Sequence, residues 1–136
     1  MLEHHHAPHY NSNSYMLSAA KFLIVGGANT LAGLAVIYLA KWWMNLGDAL
    51  ANALGYGIGL CLSFFLNKSW TFGHEGPAAP ALVRFLLAFA LAYVLNLGTV
   101  LFLINAIHLD QYLAQAAGIV PYTVFMYLAS RHYAFR

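Results

Sequence analysis

The charged side chains of this 136-residue chain fall at a few positions, and their spacing constrains the fold more than any motif does. They are Glu3, Lys21, Lys41, Asp48, Lys68, Glu75, Arg84, Asp110, Arg131 and Arg136. Residues 22–40, 49–67, 85–109 and 111–130 contain no Asp, Glu, Lys or Arg. An α-helix rises about 1.5 Å per residue, so ~20 apolar residues cross the ~30 Å hydrocarbon layer of a bilayer. Four spans are predicted, at about 19–41, 49–68, 83–106 and 111–132. The runs are solidly apolar rather than alternating, and a membrane barrel needs at least about eight strands. The expected fold class is therefore an all-α integral membrane protein with four transmembrane helices.

Composition agrees. Only 7% of the residues are charged and 62% are hydrophobic, with a mean hydropathy of +0.66. A soluble domain carries about 25% charged residues, so this balance argues against a soluble enzyme, and the apolar content argues against disorder. The single cysteine, Cys61, excludes a disulfide framework and a multi-cysteine metal site. It reads as inert packing.

Residues 42–48 (WWMNLGD) and 107–110 (IHLD) read as short turns, and 73–82 (GHEGPAAPAL) as a longer connector broken by Gly and Pro. Asp48 and Asp110 each stand where a helix begins, and a carboxylate there caps free N–H groups at the positive end of the helix dipole. Lys21, Lys68, Arg84, Arg131 and Arg136 fall on one side of the predicted bundle and only Lys41 on the other. The positive-inside rule then places both termini in the cytoplasm. Trp42 and Trp43 mark the outer boundary; Trp70, Phe72, Tyr133 and Phe135 mark the inner one as interfacial anchors. Residues 1–17 form a polar tail that reads partly as a tag. Its His4, His5, His6 and His9 are assigned no function, and residues 18–136 form the membrane domain.

The chain resembles itself when shifted by 63 residues. KFLIVGGAN falls on RFLLAFALA and LNKSWTF on ASRHYAF. Phe22 meets Phe85, Leu50 meets Leu113, Ala51 meets Ala114, Gly55 meets Gly118 and Phe72 meets Phe135; Lys21 meets Arg84 and Lys68 meets Arg131. Each half has two spans, so the expectation is two parallel two-helix repeats related by an axis along the membrane normal. That symmetry puts Lys21, Lys68, Arg84 and Arg131 at one depth, near the inner headgroups.

Two readings of these four residues stand side by side. In one they set topology and meet anionic lipid loosely. In the other they bind a lipid phosphate, for which Arg supplies a planar fork and Lys a point charge. The amides pose the same choice. Asn29 and Asn96 lie about 12 Å and 18 Å beyond Lys21 and Arg84 along their helices. Each makes either an interhelical hydrogen bond, worth about 0.6 kcal/mol, or part of a polar route that Thr30, Thr99, Ser63, Tyr93 and Tyr122 extend. Gly55 and Gly59 have GxxxG spacing, which suits packing within the bundle or a homodimer. No carboxylate lies inside a span, and no nucleophile–base constellation or metal spacing is present. The chain is expected not to be an enzyme and to use no cofactor, metal or nucleic acid.

The segments KFLIVGGANT, LSFFLNKSWTF, RFLLAFALAYVLN and YLASRHYAF, in this order over residues 20–136, resemble the GtrA-like family of small four-span bacterial membrane proteins. The resemblance implies translocation of a polyprenyl-phosphate-linked sugar, or of the undecaprenyl-type carrier itself, across the bacterial inner membrane. It implies service to cell-surface polysaccharides such as O-antigen, with membrane glycosyltransferases as partners. It maps the family's basic–aromatic–Phe ending onto Lys68, Trp70 and Phe72 and again onto Arg131, Tyr133 and Phe135. It also places Asn67, Arg84 and Asn96 at family positions. Many members have Asn where this chain has Ser63 and Met126, which weakens a symmetric polar pair there. The expected mechanism is a flippase with no energy source of its own. Lys21, Lys68, Arg84 and Arg131 would hold the phosphate, and Asn29, Asn67 and Asn96 would line the headgroup path. The alternative is a non-transporting anchor that recruits a glycosyltransferase. A small multidrug exporter is disfavoured by the missing membrane carboxylate.

Overall fold

A computed structural model describes residues 12–136. Its elements are α1 (Ser12–Trp42), α2 (Asp48–Leu66), a π-turn (Asn67–Thr71), α3 (Ala78–Asn105), α4 (Gln111–Ala129) and a second π-turn (Ser130–Ala134). There is no strand among the described residues. With the π-turns counted in, the four helical segments have 31, 24, 28 and 24 residues. The shortest is about 36 Å long, more than the hydrocarbon layer requires. The protein is a multi-pass membrane protein by the length and apolarity of these helices.

The helices outrun the predicted spans. Helix α1 takes in residues 12–17, where only a tail was expected. Helix α3 starts at Ala78, inside the expected connector. Pro77 precedes it in an extended conformation, with ψ 139°. Pro80 then falls in the first turn, where its missing N–H has no intrahelical partner to lose. A helix can project past the hydrocarbon into the headgroups, so charge spacing marks the membrane and not the helix end.

The chain divides into two compact units, one ending at Ser63 and the other running from Phe64 to Arg136. In the first, α1 and α2 meet through glycines. A Cβ on Gly55 would collide with Ile37 and lie 2.8 Å from the Gly33 carbonyl oxygen, and one on Gly59 would collide with the Asn29 amide oxygen. In the second unit, α3 packs along α4. Buried Ala81, Phe85, Ala88 and Ala92 form one stripe of α3 at i, i+4, i+7 and i+11, while Ala114, Gly118 and Met126 are buried on α4. Small side chains let the backbones approach closely where no hydrophobic effect drives association. A Cβ on Gly118 would lie 2.7 Å from Val100 Cγ2 and 2.8 Å from Asn96 Nδ2.

The 63-residue period reappears in the local design of each hairpin. The two π-turns start at Asn67 and Ser130, and each is closed by an i+5 bond of 2.9 Å, from Phe72 N–H and from Phe135 N–H. Helix α1 ends with Leu46 N–H on the Ala40 carbonyl, and α3 with Leu109 N–H on the Leu103 carbonyl. These six-residue closures need a left-handed residue. It is Asn45 (φ 56°) in one turn and His108 (φ 59°) in the other. Gly55 sits against Ile37 as Gly118 sits against Val100.

The same period corrects one expectation. Asp110 caps α4 as predicted, accepting from the N–H groups of Tyr112 (2.9 Å) and Leu113 (3.3 Å). Its counterpart in the first hairpin is Gly47, whose carbonyl accepts from Ala51 as that of Asp110 accepts from Ala114. Asp48 stands one residue further on, in the first turn of α2. Its carboxylate pairs with Lys41 at 2.5 Å instead.

Candidate functional site

Three of the four predicted phosphate-binding cations come together in the second unit, where α2 and α4 end and α3 begins. The organising feature is an aromatic plug. Phe135 follows the second π-turn, and its ring lies 5.7 Å from both Phe64 and Phe85, 5.6 Å from Phe72 and 6.0 Å from the His74 imidazole. Phe72 and Phe135 are nearly parallel, at 21°. Phe72 also packs on Tyr127, at 6.0 Å. Such pairs add about 0.5–1.5 kcal/mol each beyond area burial.

Each cation is fixed to this plug by a bond to the chain. Arg84 directs Nε (3.3 Å) and Nη2 (3.1 Å) to the Ala134 carbonyl, which ends the second π-turn. That oxygen is one of the carbonyls a helix end leaves unsatisfied. The other arm of the fork, Nη1, makes no bond among the described residues. Lys68 Nζ donates to the His74 carbonyl at 2.9 Å and folds the connector back on the first π-turn. Arg131 Nη1 donates to the Tyr127 hydroxyl at 3.3 Å, one helical turn away. All three are half-buried. Lys21 belongs to the first unit, where it is half-buried on α1.

Of the four expected interfacial anchors, Trp70 and Tyr133 are exposed and suit that role. Phe135 is 6% exposed and Phe72 stacks on it, so these two rings build the plug rather than face lipid. Asn67, expected on the headgroup path, is 1% exposed. It accepts from Thr71 Oγ1 at 2.9 Å and stabilises the π-turn from within.

The two deeper amides lie on glycines of the neighbouring helix, Asn29 on Gly59 and Asn96 on Gly118. Asn29 Oδ1 is buried and accepts no hydrogen bond, an unfavourable state inside a span. Thr30 and Thr99 bond back to carbonyls of their own helices, Gly26 (3.0 Å) and Leu95 (2.8 Å). No cluster of three metal-ligating side chains occurs among the described residues.

Sequence reasoning missed Tyr127, His74, Phe64 and Phe85. The i−4 spacing of Tyr127 from Arg131 was a usable signal. The carbonyl of His74 and the meeting of four phenylalanines were not legible, because they depend on how separate helices end.

Compared with known families, residues 21–135 match the one described as GtrA/DPMS, transmembrane domain. A search of curated proteins returned no match. With nearly its whole length matched, the chain belongs to the GtrA/DPMS transmembrane-domain family.

Proposed function

We propose that this member of the family translocates a polyprenyl-phosphate-linked sugar, or the bare carrier, across the bacterial cytoplasmic membrane. Family membership supports polyprenyl-phosphate sugar translocation or synthesis as the setting. The observation that carries the finer reading is the convergence of Lys68, Arg84 and Arg131 on one aromatic plug at one end of the helices. A phosphate at that level meets a guanidinium with an arm to spare and an ammonium with two further donors. Charge-assisted bonds of this kind are roughly twice as strong as neutral ones.

The barrier is the transfer of a charged, hydroxyl-rich headgroup through hydrocarbon. The cations hold the phosphate at the inner boundary while the prenyl tail stays in lipid. Asn29 carries its unused amide oxygen against Gly59, and α1 and α2 must part there before it can accept from a passing hydroxyl. The protein performs no bond chemistry, and direction follows from synthesis on one side and consumption on the other. Proteoliposomes holding fluorescently labelled polyprenyl-phospho-glucose test this. Wild type scrambles the lipid, and an Arg84→Ala/Arg131→Ala variant with an unchanged helical spectrum does not. Equal scrambling by both rejects the reading.

A second reading has an observation in its favour: Asn67, Thr30 and Thr99 are satisfied locally. That suits an anchor that recruits a glycosyltransferase without transporting lipid. In that case sugar transfer follows enzyme co-purification and is indifferent to Asn29→Leu.

A further inference from the structure

An open groove of about 490 Å³ runs along the outside of the α3–α4 pair, lined by Leu87, Ala88, Ala90 and Leu91 of α3 and by Phe125, Ala129 and Tyr133. Its volume is in the range of ligand-binding clefts, and its lining is almost wholly apolar. It lies on a membrane-spanning surface, so its natural occupant is a hydrocarbon chain.

Its end is chemically specific. Arg84 is three, four and seven residues before Leu87, Ala88 and Leu91, so all four share a face of α3. Tyr133, which lines the groove, is next to Ala134, whose carbonyl holds the Arg84 guanidinium. By helix register the cation precedes the lining by one turn, and the apolar lining on α3 extends about 10 Å from it toward the membrane centre. Small residues make the space. At the positions 63 earlier than Ala88 and Ala129 the first hairpin has the larger Val25 and Leu66, and it has Lys21 in place of Arg84.

We propose that this groove seats the first isoprene units of a polyprenyl monophosphate, with the phosphate on Arg84 Nη1. The inference rests on the proposed function and adds to it where the lipid lies: on the second hairpin, alongside α3 and α4. Branched isoprene methyl groups find a notch at Ala88 and Ala129, and the phosphate finds a fork already oriented by the Ala134 carbonyl.

The test is calorimetric titration of the full chain, in phosphatidylcholine nanodiscs, with farnesyl phosphate. Wild type binds. Ala90→Phe and Ala129→Phe, which fill the groove, weaken binding at least about tenfold, and Arg84→Lys, which keeps the charge and loses the fork, weakens it by roughly the same factor. Unchanged affinity in both Phe variants overturns the proposal. So does displacement of farnesyl phosphate by equimolar inorganic phosphate or dioleoylphosphatidylglycerol, since the groove would then confer nothing or take any anionic lipid. The scrambling assay separates the two ideas. Groove-dependent binding without scrambling rejects transport and leaves the groove. Scrambling with groove-independent binding rejects the groove and leaves transport.

Discussion

Gly118 and Gly57 show how differently one residue type is used in this chain. A Cβ on Gly118 would lie under 3 Å from both Val100 Cγ2 and Asn96 Nδ2, whereas one on Gly57 would meet nothing within 4 Å. Gly118→Ala should therefore destabilise the protein by about 1–3 kcal/mol through overpacking. Gly57→Ala should stabilise it by up to about 1 kcal/mol through helix propensity. Melting in detergent micelles followed by circular dichroism should show opposite shifts. Sequence alone marks both as small residues in spans and cannot say which one touches a neighbour, because that depends on helix rotation. The same limit explains Phe135. Its place beside Trp70 and Tyr133 in the repeated ending suggested anchoring, but a π-turn rotates it inward onto Phe64, Phe72 and Phe85.

At the scale of elements, the ends of the helices carry the information that charge spacing leaves out. Asp110 caps α4 through two backbone N–H groups, while Asp48 makes an exposed ion pair with Lys41. Asp110→Ala should cost about 1 kcal/mol, most of it kept at high salt because it comes from two backbone hydrogen bonds. Asp48→Ala should have a smaller effect, which shrinks further as salt is added, because its ion pair with Lys41 is exposed and screened. Melting of both variants at low and high salt checks this. The turn after α3 offers a gain. His108 is left-handed at φ 59°, a conformation that costs an L-residue roughly 1–2 kcal/mol relative to Gly. His108→Gly should raise the melting temperature. Asn45 at the matching place was readable as a turn residue, since Asn tolerates that conformation. The π-turns were not readable, because no side-chain pattern distinguishes an i+5 closure from an i+4 one.

For the whole molecule, the four helices followed from charge spacing, because bilayer thickness leaves little choice of length. The duplication was legible because paired basic residues, aromatics and terminal Phe recur at one offset. The same offset relates the two π-turns, the left-handed Asn45 and His108, and the contacts at Gly55 and Gly118. The groove was not legible, since it is the space left by Ala88 and Ala129 on two different helices. The proposed function depends on cations gathered at one helix end holding an isoprenoid phosphate. It is tested most directly by solid-state NMR of the protein labelled with ¹⁵N in its arginine side chains and bound to undecaprenyl phosphate in nanodiscs. The expected result is ³¹P–¹⁵N dephasing at hydrogen-bonding range, lost in Arg84→Lys/Arg131→Lys. Dephasing that persists in this variant, or is absent while the lipid is bound, would contradict it.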